Sequence, residues 1–391
     1  MMVRKRFAIL SALLAMIVLL SGCAGGQRSE TIIIPSTEDE HAADSGSKPF
    51  QVKTIYRLPI SDAKYDSLLG WADSESVVGV SQARDSMMNL TRLSPPYEQF
   101  EELHSVDVDP SNLELSPNGE FITGFKKTQD GIKVKLLSLS DGQEKNIAIL
   151  KPHQEQLLTI PAWSDNGKYI SYLVDTGTGD TDTEKSAPKA LVIQMAVYDT
   201  FTGQAKLYRL KGFPMKGSVT SAKISDDGQS VLIVWTNNER TVNIGMGAIN
   251  GDGFQIQYEH QAGSDQAAWL NKDQFVFLGT DGALYEYDRR NAALSVLLEK
   301  VIGFRLSQDR KYIAYSQKNN DNVSIFAGKL QGYNVLYNES VYQGVLPSKM
   351  DWSPQNDSLL VIGPKIYSAV IQTSPEPSPD THNQPFIIKF Q

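Results

Sequence analysis

Few side chains in this 391-residue chain stand where they could do chemistry. One is Cys23, the only cysteine, in Leu20-Ser21-Gly22-Cys23, a thiol placed for covalent attachment of lipid. The five histidines, His41, His104, His153, His260 and His382, lack the spacing of metal ligands, and each reads as a surface or hydrogen-bonded residue. Asp180, Asp182 and Glu184 alternate like part of a calcium loop but lack its remaining ligands and ordered glycine. The polar segment 176–189 that carries them reads as a solvated loop. Asp165 and Asp226-Asp227 have the look of paired acid–base carboxylates. A turn explains them without chemistry, since Asp and Asn accept from the backbone two residues on. There is no Gly-x-Ser-x-Gly elbow, no His-Glu-x-x-His and no Gly-x-x-x-x-Gly-Lys. These residues predict no catalytic group, no cofactor and no metal site.

The surroundings of Cys23 give its thiol a purpose. Arg4, Lys5 and Arg6 make a basic start, and Phe7 to Leu20 an apolar run of secretory length, too short for a good spanning helix. Ser21 and Gly22 complete a small-residue cleavage site. The whole resembles the bacterial lipoprotein signal with its lipobox. That resemblance implies cleavage before Cys23, a diacylglyceryl group on the thiol and an acyl chain such as palmitate on the new amino terminus. Two or three chains anchor stably where one does not.

Residues 1–22 are then a signal peptide and 23–49 a lipidated flexible linker, rich in Gly, Ser, Thr and acids. Thr31-Ile32-Ile33-Ile34 is a short-strand candidate inside that linker. The mature protein is expected outside the cytoplasm, on the bacterial cell membrane, or on the outer membrane where the cell has two. Residues 1–22 carry three cations and no acid, so their removal takes the formal charge from -8 to -11. Such a surface disfavours nucleic acid as a partner. No cysteine remains for a disulfide, so core packing alone must hold the fold.

From residue 50 to 391 the chain repeats itself. Leu115-Ser116-Pro117-Asn118-Gly119-Glu120-Phe121-Ile122, Trp163-Ser164-Asp165-Asn166-Gly167-Lys168-Tyr169-Ile170 and Ile224-Ser225-Asp226-Asp227-Gly228-Gln229-Ser230-Val231 are the clearest copies. Weaker ones start at Trp71, Trp269, Leu306 and Trp352, so four of the five tryptophans open a copy. Intervals of 44, 48, 61, 45, 37 and 46 residues suit a four-stranded propeller blade. The longest contains the 176–189 loop. Asn-Gly and Asp-Gly favour tight hairpins, and runs such as Val231-Leu232-Ile233-Val234-Trp235 read as strands. The opening tryptophans read as packing between blades before any role in stacking on sugar.

These copies resemble the TolB-like β-propellers, relatives of the WD-repeat family, with their Trp-Ser-Pro-Asp-Gly-like turn. The match is best at Leu115 to Ile122, Trp163 to Ile170 and Trp352-Ser353-Pro354; in the Leu306 copy, Asp309-Arg310 stands where Asp-Gly would. The expectation is an all-β chain whose β-propeller domain, 50–391, has seven four-stranded blades. Phe50 to Leu58 and Phe386 to Phe390 should meet in one closing blade. With no catalytic constellation visible, the expected function is a non-catalytic binding or scaffold module for an envelope protein, peptide or glycan. The alternative is a propeller-type enzyme, a lactonase, lyase or quinone-dependent dehydrogenase, whose acids or histidines would have to converge at the central channel.

Overall fold

One serine shapes the turn in five of the seven repeats. In Ser116, Ser164, Ser225, Ser307 and Ser353 the hydroxyl accepts the backbone N–H five residues on, at 2.9 to 3.1 Å. The same hydroxyls donate to the Asn or Asp of the turn at 2.6 to 2.9 Å. Chain reversal is thus fixed by side chains two to five residues apart, and an apolar strand follows. The position after the Asn or Asp needs a left-handed backbone, supplied by Gly119 (φ 73°), Gly167 (φ 73°) and Gly228 (φ 72°).

The computed structural model describes residues 30–33, 49–60, 68–82, 88–109, 112–152, 155–177, 192–211, 217–319, 322–366 and 385–391. Cys23, the 1–22 segment, His41, His153, His382, Asp180, Asp182 and Glu184 lie outside them. Among the described residues no helix is long and apolar enough to cross a membrane.

The fold is all-β and propeller-like, as the repeats predict. The first meander comprises Leu68–Trp71, Val77–Gln82, Met88–Leu93 and Phe100–Val106; the second, Glu114–Leu115, Phe121–Thr128, Gly131–Ser138 and Glu144–Leu150. The third is formed by Gln156–Leu157, Ala162–Trp163, Tyr169–Asp175, Ile193–Asp199 and Ala205–Lys211. The fourth runs through Ser218–Ile224, Ser230–Thr236, Val242–Asn250 and Gly253–Ala262. These two share one nine-stranded sheet, because their outer strands pair in parallel, Arg209 opposite Gly253 and Lys211 opposite Gln255. The fifth contains Ala267–Asn271, Gln274–Leu278, Leu284–Asp288 and Ala293–Leu298; the sixth, Val301–Leu306, Tyr312–Asn319, Asn322–Gln331 and Asn334–Gln343.

The closing sheet joins the two ends of the described chain. Its order is Lys349–Trp352, Ser358–Ile362, Phe386–Phe390, Val52–Arg57, Glu30–Ile33. Ile55 lies opposite Ile388 and Arg57 opposite Phe386, antiparallel, so the expected meeting of the ends is present. Thr31, Ile32 and Ile33 of the isoleucine run lie in the outermost strand, Ile32 opposite Ile55.

Inner strands of neighbouring meanders touch, Leu68–Trp71 with Glu114–Leu115 and Ala162–Trp163 with Ser218–Ile224. Lys349–Trp352 contacts both Val301–Leu306 and Leu68–Trp71, which turns the row of sheets into a ring. The buried apolar residues fall into seven clusters, each bridging successive meanders. Ile325 packs with Leu359 and Ile388 in one, and Trp71 and Leu93 with Leu360 and Ile387 in the next. Burial of these flat sheet faces is the main stabilising force, since each fully buried side chain contributes roughly 1.5–3 kcal/mol.

Candidate functional site

One residue precedes the start of each repeat, at the end of the inner strand: Gly70, Glu114, Ala162, Lys223, Ala268, Arg305 and Asp351. Four of these carry charge, and each of those four has its backbone carbonyl held by a tryptophan of the next meander. Trp163 Nε1 donates to Glu114 at 3.2 Å, Trp269 to Lys223 at 3.3 Å, Trp352 to Arg305 at 3.2 Å and Trp71 to Asp351 at 2.9 Å. The tryptophans are buried between sheets, as the sequence predicts. They also fix where the charged residues sit.

The ring brings these charges within reach of one another. Arg305 Nε and Nη2 donate to Asp351 Oδ1 at 3.1 and 2.9 Å. Gly70 leaves the space that Asp351 uses: a Cβ there would lie 2.8 Å from its Oδ2, and the φ of 145° favours glycine. Glu114 keeps access to solvent although protein surrounds it. Desolvation pushes its carboxyl up, against the pull of Lys349, Arg305 and Lys223 from three other meanders. Lys349 Nζ donates to the Leu69 carbonyl at 2.6 Å. Among the described residues no carboxylate pairs directly with it, and enclosure pushes its ammonium down against the attraction of Asp351 and Glu114.

At the end of the ring where the repeat turns lie, four charges close over the axis. Lys223 Nζ bonds to Asp165 Oδ1, and Arg310 reaches Asp165 Oδ2 at 3.1 Å and Asp226 Oδ2. Burial would raise the Asp165 carboxyl, but Lys223 and Arg310 together hold it below the ordinary range. Asp226 Oδ1 accepts the Asn166 N–H at 2.8 Å, tying the third turn to the fourth. Arg310 occupies the left-handed turn position with φ 59°. The missing glycine of the Leu306 copy is therefore what lays a guanidinium across the ring.

A second feature lies toward the opposite end of the inner strands. A cavity of about 230 Å³ lies between the inner strands of the fifth, sixth and closing units, lined in part by Asp265, Gln266, Phe304, Arg305, Ser348 and Lys349.

These positions correct two sequence readings. The turn explains Asp227, whose Oδ1 accepts the Gln229 N–H at 3.0 Å, but Asp165 and Asp226 serve the charge bridge instead. Acids from several meanders do converge on the axis, each beside cations; the one signal for this was the column of residues before the repeat start. His104 and His260 lie on outer strands of different meanders, Phe100–Val106 and Gly253–Ala262, and are not brought together. Among the described residues no three His, Cys, Asp or Glu side chains are grouped to hold a metal ion. The base of the 176–189 loop is pinned by Asp175 Oδ1, which accepts from Gly177 at 3.0 Å and Val192 at 3.1 Å.

The sequence matches no protein-family model and no curated protein. Among solved structures the chain is similar to an oligogalacturonate lyase in complex with manganese, at 12% identity and a TM-score of 0.56, over 93% of this chain and 98% of that one. It is similar to oligogalacturonate lyase from Vibrio parahaemolyticus at 10% identity and a TM-score of 0.54, with the same coverage of 93% and 98%. TolB from Acinetobacter baumannii aligns at 14% identity and a TM-score of 0.41, over 81% of this chain and 80% of its own. The first two likenesses, nearly end to end at such low identity, are of fold: this chain shares their propeller-like arrangement of sheets.

Proposed function

We propose that the protein is a lipid-anchored, extracytoplasmic β-propeller of the TolB-like kind that binds an envelope protein, peptide or glycan without transforming it. Counting the nine-stranded sheet as two blades joined at the rim gives seven, in step with the seven apolar clusters. The observation that carries the binding reading is the build of the channel. Its turn end is bridged by Arg310, a polar cavity lies toward its other end, and Asp165, Asp226 and Asp351 are each neutralised by a cation. Fixed, compensated charges beside such a cavity favour holding a ligand over reacting with it.

Cys23 supplies the anchor in this reading. Growth on an alkyne palmitate should label the wild-type protein in the membrane fraction and leave Cys23→Ser unlabelled; label on the serine variant would remove the anchor. Photo-cross-linking from Ser348 in the cavity lining, in intact cells, should give one recurring adduct. Absence of any adduct from lining positions would count against the binding reading.

A second reading, a propeller-type enzyme, draws on one observation: Glu114 and the half-buried Lys349 are each pushed by desolvation toward their uncharged forms, as proton-transferring groups often are. The structural neighbours that are lyases lend it the fold alone. Conversion of a lactone or a uronate oligomer by the purified protein, lost in Glu114→Gln, would establish it.

A further inference from the structure

We propose that the open cavity takes a carboxylate group, held by Arg305 and Lys349. This rests on the binding reading above and adds the chemistry of the ligand.

The cavity of about 230 Å³ is small for a whole drug-sized ligand but roomy for one terminal group. Its two cations are incompletely used. Arg305 spends Nε and Nη2 on a single oxygen of Asp351, and 55% of its side chain remains exposed. A guanidinium has five N–H donors in a planar fork that matches a carboxylate. Lys349 has three donors, and only the one to the Leu69 carbonyl is satisfied among the described residues. An enclosed ammonium without an ion pair is costly, and a ligand carboxylate would relieve that cost.

A third donor stands beside them. Gln266 Oε1 accepts the Phe304 N–H at 3.1 Å, which fixes the amide in the same lining, and among the described residues no hydrogen bond is made by its Nε2. Asp265, the acidic member of the lining, is exposed. Of the inner-strand acids, Asp351 lies on one edge of Arg305, and Glu114 attracts Lys349 without a direct pair among the described residues. Within the lining itself, Arg305 and Lys349 stand against Asp265 alone.

The carboxylate could be a peptide C-terminus or an acidic sugar, and the experiment separates them. Thermal shift and calorimetry on the purified protein would use N-acetyl-Ala-Ala against its C-terminal amide, and glucuronate against glucose. At least one acid should bind and raise the melting temperature, while its neutral partner does neither. Lys349→Met should weaken that acid by about tenfold or more, and Lys349→Arg should restore most of the loss. Arg305→Lys, which keeps a cation on Asp351, should weaken it through loss of the fork.

Binding of neither acid, or acid binding unchanged in both Lys349→Met and Arg305→Lys, would overturn the carboxylate site. If the in-cell adduct at Ser348 persists in that case, the binding reading stands alone. Conversion of a bound acid to a new product would instead keep the site and overturn the non-catalytic reading.

Discussion

Arg310 and Asp165 are 145 positions apart, yet Arg310 Nη2 donates to Asp165 Oδ2 at 3.1 Å across the axis of the ring. The contact exists because the sixth repeat carries an arginine at the turn position where the second, third and fourth keep glycine. Arg310→Gly would restore the common turn and release a left-handed strain of about 1 kcal/mol. It would also strip Asp226 of its cation and leave Asp165 to Lys223 alone. The loss should prevail, lowering stability by about 1–3 kcal/mol in urea unfolding. A variant as stable as the wild type would show that the bridge is worth no more than the strain it imposes.

Two glycines with the same backbone angle should respond differently to alanine. Gly119 and Gly167 both have φ 73°, but a Cβ on Gly119 would lie 2.1 Å from the Ala72 carbonyl oxygen, while on Gly167 the nearest atom is Pro117 Cδ at 3.9 Å. Gly167→Ala should cost about 1 kcal/mol from the angle alone. Gly119→Ala adds a clash between the first and second meanders and should cost at least ~2 kcal/mol more. Equal melting temperatures for the two variants would contradict the packing described.

Glu286 gives the protein a pH dependence of unusual sign. It is buried in the fifth meander, its Oε2 has no hydrogen-bond partner among the described residues, and its Oε1 accepts from Gln274 at 2.6 Å. Burial, with Asp288 adding to it, pushes its carboxyl up to about 7. The folded state therefore holds a proton that the unfolded state has released above its ordinary value near 4.5, so this group's contribution falls as pH rises from there to about 7. Glu286→Gln, fixed in the neutral form, should melt close to the wild type at pH 5 and several degrees above it at pH 8. A constant difference between the two proteins across that range would show that the carboxyl titrates normally.

Removal of 385–391 takes out the middle strand of the closing sheet. Phe386, Ile387, Ile388 and Phe390 are all buried there, between Ser358–Ile362 and Val52–Arg57. At roughly 1.5–3 kcal/mol for each side chain, the loss approaches the whole stability of a typical domain, about 5–15 kcal/mol. Calorimetry should find no cooperative transition near the wild-type temperature, and an unchanged melt would rule out this closure.

The fold was legible because its signals are local. A Ser, an Asn or Asp and a Gly within five residues make the turn, and recurrence near 45 residues announces the sheets. The charged ring was not legible in the same way. Glu114, Lys223, Arg305 and Asp351 are scattered charges on the inner strands of four different meanders, and only ring closure brings them together. Asp165 and Asp226 misled because an acid in a turn has a sufficient local explanation. Arg310 was visible as a departure from the repeat, but its reach across to the third and fourth meanders is a property of the closed ring.

The indole of Trp71 bound to the carbonyl of Asp351 carries a consequence for how the protein is made. A chain emerging from the ribosome or a translocon exposes Trp71 and the strand Val52–Arg57 long before Asp351 and Phe386–Phe390 exist to receive them. Earlier units can stack as they appear, but the disc stays open on one side until the last strand arrives. During that interval an unpaired strand edge and apolar sheet faces stand bare, the state most prone to wrong association. Biosynthesis, more than the finished molecule, is where this architecture needs protection.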